Sequence, residues 1–126
     1  MKSASLVKVF LLFAAVPTLL VGLQGLIDPQ GIMDNVDVIL GNNSGKSSTR
    51  AIYGGMHIMF GGFIAYGAFK AQREALLILA LYTIGFVLGR VTSLILDGMP
   101  NAFISTWIFV EAGFAIIATY FLLKKV

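Results

Sequence analysis

Four stretches of about twenty mostly apolar residues, separated by polar connections, constrain this 126-residue chain more than any other feature. A bilayer core is about 30 Å thick and needs roughly twenty apolar residues to cross as a helix. The runs span about Leu6 to Leu26, Ala51 to Phe69, Ala75 to Leu96 and Ala102 to Leu123. Charged residues make up 12% of the chain and apolar ones 58%, against roughly 25% and 45–50% in a soluble domain. A soluble enzyme and a disordered chain are both excluded by that balance. The expected fold is all-α: a single-domain, four-helix transmembrane bundle, with residues 27–50 as its one sizeable aqueous loop.

The first run could be a secretory signal, since Lys2 and Lys8 precede Val9 to Leu23. Its length and the lack of a small-x-small cleavage site before Gln24 favour a retained helix. That helix is expected to bend at Pro17, whose ring removes a backbone hydrogen bond. If four helices alternate across the membrane, Lys2, Lys8, Lys70, Arg73, Lys124 and Lys125 fall on one side, and Lys46 and Arg50 on the other. Positive loops stay cytoplasmic. Both termini are therefore expected inside, in an up-down-up-down bundle of a bacterial cytoplasmic membrane. The short connections at Lys70–Glu74 and Asp97–Asn101 make sequential helices antiparallel neighbours.

Within residues 27–50, Ile32 to Leu40 alternates apolar and acidic residues and suits the outer interface, while Gly41 to Thr49 suggests a flexible tip. Gly41-Asn42-Asn43-Ser44-Gly45-Lys46-Ser47 looks like a phosphate-binding loop but is one residue too short for that motif. No nucleotide and no nucleic acid is expected. With no cysteine in the chain, a thiolate metal site and a cysteine nucleophile are excluded. One histidine with one membrane-level glutamate makes neither a metal set nor a catalytic nucleophile system. No cofactor, metal or catalytic residue is assigned.

The small residues Gly54, Gly55, Gly61 and Gly62 in the second run, and Gly85, Gly89 and Ser93 in the third, are expected to let helix backbones approach closely. That packing could lie inside the bundle or between copies of the chain.

Charges at bilayer depth are costly, so they mark a function or a tight partner. At 1.5 Å per residue, His57 and Arg90 each lie roughly 10 Å below the outer surface, and Glu111 roughly 13–14 Å. The expectation is an intramembrane polar cluster in which Arg90 pairs with Glu111 while His57 and Tyr53 complete the hydrogen bonding. Arg50 and Asp97 would pair above it at the outer rim. The cluster could be a structural pair that sets helix register, a ligand contact, or a proton-handling site.

Arg50-Ala51-Ile52-Tyr53-Gly54-Gly55 at the start of the second run carries a family resemblance. So does Gly89-Arg90 followed by Ser93 and Asp97-Gly98-Met99-Pro100, with Asp28-Pro29 after the first run. On these residues the chain resembles the small bacterial four-helix membrane proteins grouped as domain of unknown function 4345. The resemblance implies the four-helix fold, the outer polar cluster and an acidic residue in the last helix, matched by Glu111. It implies no particular activity.

Three functions stay open. The first is a non-enzymatic accessory or scaffold subunit, partnered by another integral membrane protein or by itself. The second is a membrane-embedded binding protein for an anionic lipid or amphipathic small molecule. The third is a proton-linked transporter.

Overall fold

A computed structural model describes residues 2–124, and Lys125 of the expected cytoplasmic charge set lies outside the described residues. All regular structure among them is helical: α1 (Lys2–Ile27), α2 (Pro29–Asp34), α3 (Asn43–Thr49), a π-helical segment (Arg50–Met56), α4 (His57–Lys70), α5 (Gln72–Leu96) and α6 (Ala102–Leu123). Three of these, over Ala4–Ile27, Gln72–Leu96 and Ala102–Leu123, are long and apolar enough to cross a membrane, with mean hydropathies of 2.3, 1.9 and 1.8.

Residues 43–70 do not follow the expected loop-then-helix division at Ala51. Asn42 caps α3 by accepting from the Gly45 backbone N–H at 2.8 Å, which is why a polar, glycine-containing stretch becomes helical rather than a flexible tip. From there the backbone stays helical through Thr49, Met56 and His57, so α3, the π segment and α4 form one continuous rod. Residues 29–34 are helical as well. Asp28 caps α2 by accepting from Gly31 N–H at 3.0 Å, with Pro29 in the first turn, an arrangement suited to a helix start. Gly98, at φ +93, makes the turn into α6, and Asn101 caps that helix through Ile104 N–H at 3.0 Å.

The helices pack as two pairs, α1 against the π segment and α4, and α5 against α6, joined mainly through α4 and α5. In the first pair, a Cβ added at Gly61 would lie 2.8 Å from Leu19, one at Gly22 2.8 Å from Ile58, and one at Gly54 2.7 Å from Leu26. As numbers rise along α1 they fall along its partner, so the two helices run antiparallel with leucines seated on glycines. Close approach over small residues is what holds helices together where water is absent.

The glycine expectations are corrected in part. Gly54 and Gly61 lie at that contact, but Gly55, Gly62, Gly85 and Gly89 have no close neighbour from another helix. Of two adjacent residues only one can face a given partner, because consecutive positions are about 100° apart around a helix. The small residues that complete the contact are Gly22 and Gly25 of α1.

One half of the bundle is solid. Val7, Leu11, Ala14 and Ala15 of α1 pack with Ile64 and Ala68, Leu76 and Leu79, and Ala118 and Phe121. Alanines at this level let the four rods close together. Toward Gln24, Arg90 and Phe103 the alanines give way to larger and polar residues, and the interior opens. At the edge of the solid half α1 and α6 are bridged by ring contacts, Phe10 and Phe13 each meeting Phe114 at 5.7 and 5.9 Å.

Candidate functional site

The open half holds a cavity of about 460 Å³ between α1, α2, the π segment, α5 and α6. Helical spacing delivers its walls. Leu79, Tyr82, Thr83, Phe86 and Arg90 recur at intervals of three and four on α5, as do Phe103, Trp107, Val110, Glu111 and Phe114 on α6, so each set forms one stripe. Ile32 and Met33 of α2, both buried, face the cavity from above. The segment after α2 is tied down by Gln30, which donates to Val38 O and accepts from Leu40 N–H. It is also held by Asn101, whose amide donates to Asn35 O and Asp37 Oδ2 at 3.0 Å.

Arg90 and Glu111 face each other across α5 and α6. Arg90 Nε donates to Oε2 and Nη2 to Oε1, both at 3.2 Å, a planar fork matched to a carboxylate. Glu111 is 9% exposed. The guanidinium also lies over the Phe86 ring, 5.8 Å from its centre.

His57 is built into the π segment. Its ring Nδ1 donates to Ile52 O at 2.9 Å, while its backbone N–H turns to Gly54 O. A carbonyl can only accept, so Nδ1 carries the proton, and in the neutral ring Nε2 is an acceptor. Tyr82 supplies the matching hydroxyl, donating to Nε2 at 2.7 Å. Every buried side-chain nitrogen and oxygen among the described residues has a hydrogen-bond partner.

The expected division of labour within the cluster is corrected at two places. His57 and Tyr53 do not complete the Arg90–Glu111 pair. Tyr53 stacks on His57, with ring centres 5.6 Å apart, and the histidine's partners are Ile52 and Tyr82. Arg50 and Asp97 are not paired either. Arg50 Nε donates to Leu26 O at 3.0 Å, and Asp97 accepts from Ser93 Oγ at 2.8 Å. The π segment supplies the reason: its turns close on i+5 rather than i+4, so Arg50 is rotated from its α-helical register toward α1.

Tyr82 is the residue that charge-based reasoning passed over. It lies eight residues before Arg90, a little over two turns, and therefore on nearly the same face. A tyrosine in an apolar span also carries a polar handle that seeks a partner.

A second, shallower groove of about 380 Å³ lies along α5 and α6, with Gly85, Gly89 and Ser93 on one side and Ile104 and Ile108 on the other. Arg90 and Phe86 border both this groove and the central cavity. The expected packing stripe of α5 therefore lines an open groove.

A family model described as Domain of unknown function (DUF4345) matches residues 6–122, nearly the whole chain. No curated protein and no solved structure matches the chain.

Proposed function

The chain belongs to the DUF4345 family, and from that premise and the geometry of the cavity we propose that it is a multi-pass membrane protein that binds an amphipathic small molecule within its bundle. The continuous rod through the π segment and α4 is the fourth crossing. Its 21 residues from Arg50 to Lys70 would reach roughly 30 Å at helical rise. Short connections support an up-down-up-down bundle, and the excess of Lys and Arg at the α4–α5 turn supports a cytoplasmic position for both termini, in a bacterial membrane.

The observation that carries the binding role is the cavity itself, about 460 Å³ with apolar walls and a polar group of Arg90, Glu111, His57, Tyr82 and Trp107. Apolar concavities of this size with a few convergent polar groups are the usual form of a small-molecule site. A pair needed only to set register could be packed solid; this one stands at a hollow.

Native mass spectrometry of the gently extracted protein tests the reading. One retained small molecule or lipid per chain is expected, lost in Thr18→Phe, which fills the cavity from α1. The Thr18 hydroxyl bonds only its own helix, at Ala14 O, so that substitution spares other contacts. A bare wild-type chain, or equal retention in Thr18→Phe, would overturn it.

The groove along Gly85, Gly89 and Ser93 supports a second reading, an accessory or scaffold subunit. Small residues left without a partner in the chain suit a docked helix from another membrane protein or a second copy. Co-purification with a partner at fixed stoichiometry, abolished by Gly89→Leu, is the outcome that would favour it.

A further inference from the structure

We propose that the occupant of the central cavity is an uncharged lipid whose head carries ester or ketone oxygens, held by the unused donors of Arg90 and Trp107. This rests on the binding role above and names the class of ligand.

Charge is the first argument. The ionisable side chains that line the cavity, tyrosines apart, are Arg90, Glu111 and His57. Arg90 and Glu111 neutralise each other in the fork. His57, with Nδ1 on Ile52 O and Nε2 against the Tyr82 hydroxyl, satisfies both contacts as a neutral ring and needs no counter-charge. The walls therefore sum to zero. A phosphate or carboxylate head that engaged Arg90 would have to share it with the Glu111 carboxylate in an apolar enclosure. Two anions sharing one guanidinium repel each other. A cationic head meets the same difficulty at Arg90.

The second argument is the balance of donors and acceptors. A guanidinium has five N–H donors. Glu111 takes two of them, and the other three have no acceptor among the described residues. The Trp107 indole N–H and the Tyr53 hydroxyl also line the cavity, and neither makes a hydrogen bond among the described residues. The hydroxyls of Thr18 and Thr83 already donate to Ala14 O and Leu79 O of their own helices. The Gln24 and Asn35 amides at the exposed mouth of the cavity offer acceptors as well as donors, but deeper in, around Arg90 and Trp107, the vacant groups are mostly donors, so the ligand must bring acceptors there. Ester and ketone carbonyls do so without charge, and their lone pairs can be shared between Arg90 and Trp107.

The surroundings suit the rest of a lipid. Pro17 and Val21 of α1 and Val110 and Phe114 of α6 line the cavity, beyond the ring contacts by which Phe10 and Phe13 close these two helices together. An acyl or prenyl chain leaves between them toward the bilayer.

Trp107 is the single tryptophan of the chain, so its fluorescence reports on the cavity. The full chain in detergent micelles is titrated with diacylglycerol carrying brominated acyl chains, and in parallel with phosphatidylglycerol carrying the same chains. Saturable quenching by diacylglycerol, competed by the unbrominated lipid, is expected, with phosphatidylglycerol about tenfold weaker or more, a difference of about 1.4 kcal/mol. Glu111→Gln, which leaves Arg90 as an uncompensated cation, should reverse that preference. Wild-type quenching by phosphatidylglycerol as strong as by diacylglycerol would overturn the neutral-head assignment and leave the binding role standing. An absence of saturable quenching by either lipid would overturn both. Should Glu111→Gln not fold, the wild-type competition alone decides.

Discussion

Tyr82 of α5 donates its hydroxyl to Nε2 of His57 at 2.7 Å, and the same ring donates from Nδ1 to Ile52 O inside the π segment. One imidazole thus ties a backbone irregularity in one helix to the side of another. The π segment leaves a carbonyl for a side chain to satisfy, and His57 at i+5 from Ile52 is placed to do so. The segment also turns Arg50 away from Asp97, so one local feature sets two of the site's contacts.

Removing the tyrosine hydroxyl should show what that bond contributes. Tyr82→Phe keeps the ring and its contact with Phe60 at 4.9 Å but leaves Nε2 buried without a donor. Unfolding followed by circular dichroism in mild detergent should reveal a loss of about 1–3 kcal/mol. The His57→Phe, Tyr82→Phe double variant should lose less than the sum of the two single losses, since Nε2 and the hydroxyl that pairs with it are then both gone. Strict additivity would mean the two side chains act independently.

The Arg90–Glu111 fork makes a similar prediction with larger numbers. Either Arg90→Leu or Glu111→Leu strands a charge and should cost on the order of 3 kcal/mol. Replacing both with leucine should recover most of the stability, because two apolar side chains need no partner. A double variant as unstable as the worse single would show that the pair is needed for folding itself.

Helix approach along α1 separates glycines that look alike in the sequence. A Cβ at Gly25 would stand 2.6 Å from the Tyr53 backbone carbonyl, whereas one at Gly62 meets nothing within 4 Å. Gly25→Ala should therefore destabilise by about 1–3 kcal/mol, as overpacking does, while Gly62→Ala should unfold no earlier than wild type. Equal thermal midpoints for the two would contradict the contact between α1 and the π segment.

Orientation is open to direct labelling, helped by the absence of native cysteine. Ser44→Cys in α3 should react with a membrane-impermeant thiol reagent added to intact bacterial cells. Glu74→Cys at the start of α5 should react only after the membrane is opened. The reverse pattern would invert the proposed topology.

Much of this protein was determined by the order of its residues alone. Long apolar runs can satisfy their backbone only as helices where water is absent, so α1, α5 and α6 were legible from composition and length. Arg90, Glu111 and His57 stood out for the related reason that polar groups in such runs need partners.

Which partners they take was decided by tertiary structure. Spacing rules assume 3.6 residues per turn, and the π segment departs from that value between Arg50 and His57. Arg50 therefore meets Leu26 instead of Asp97, and His57 meets Ile52 and Tyr82 with Tyr53 stacked beside it. Gly54 and Gly55 are chemically the same, yet only the first lies under a leucine of α1, since rotation about the helix axis follows from all contacts at once. The hollow beside Arg90 likewise depends on residues from α1, α2, the π segment, α5 and α6 failing to fill a common space, which no one stretch of sequence records.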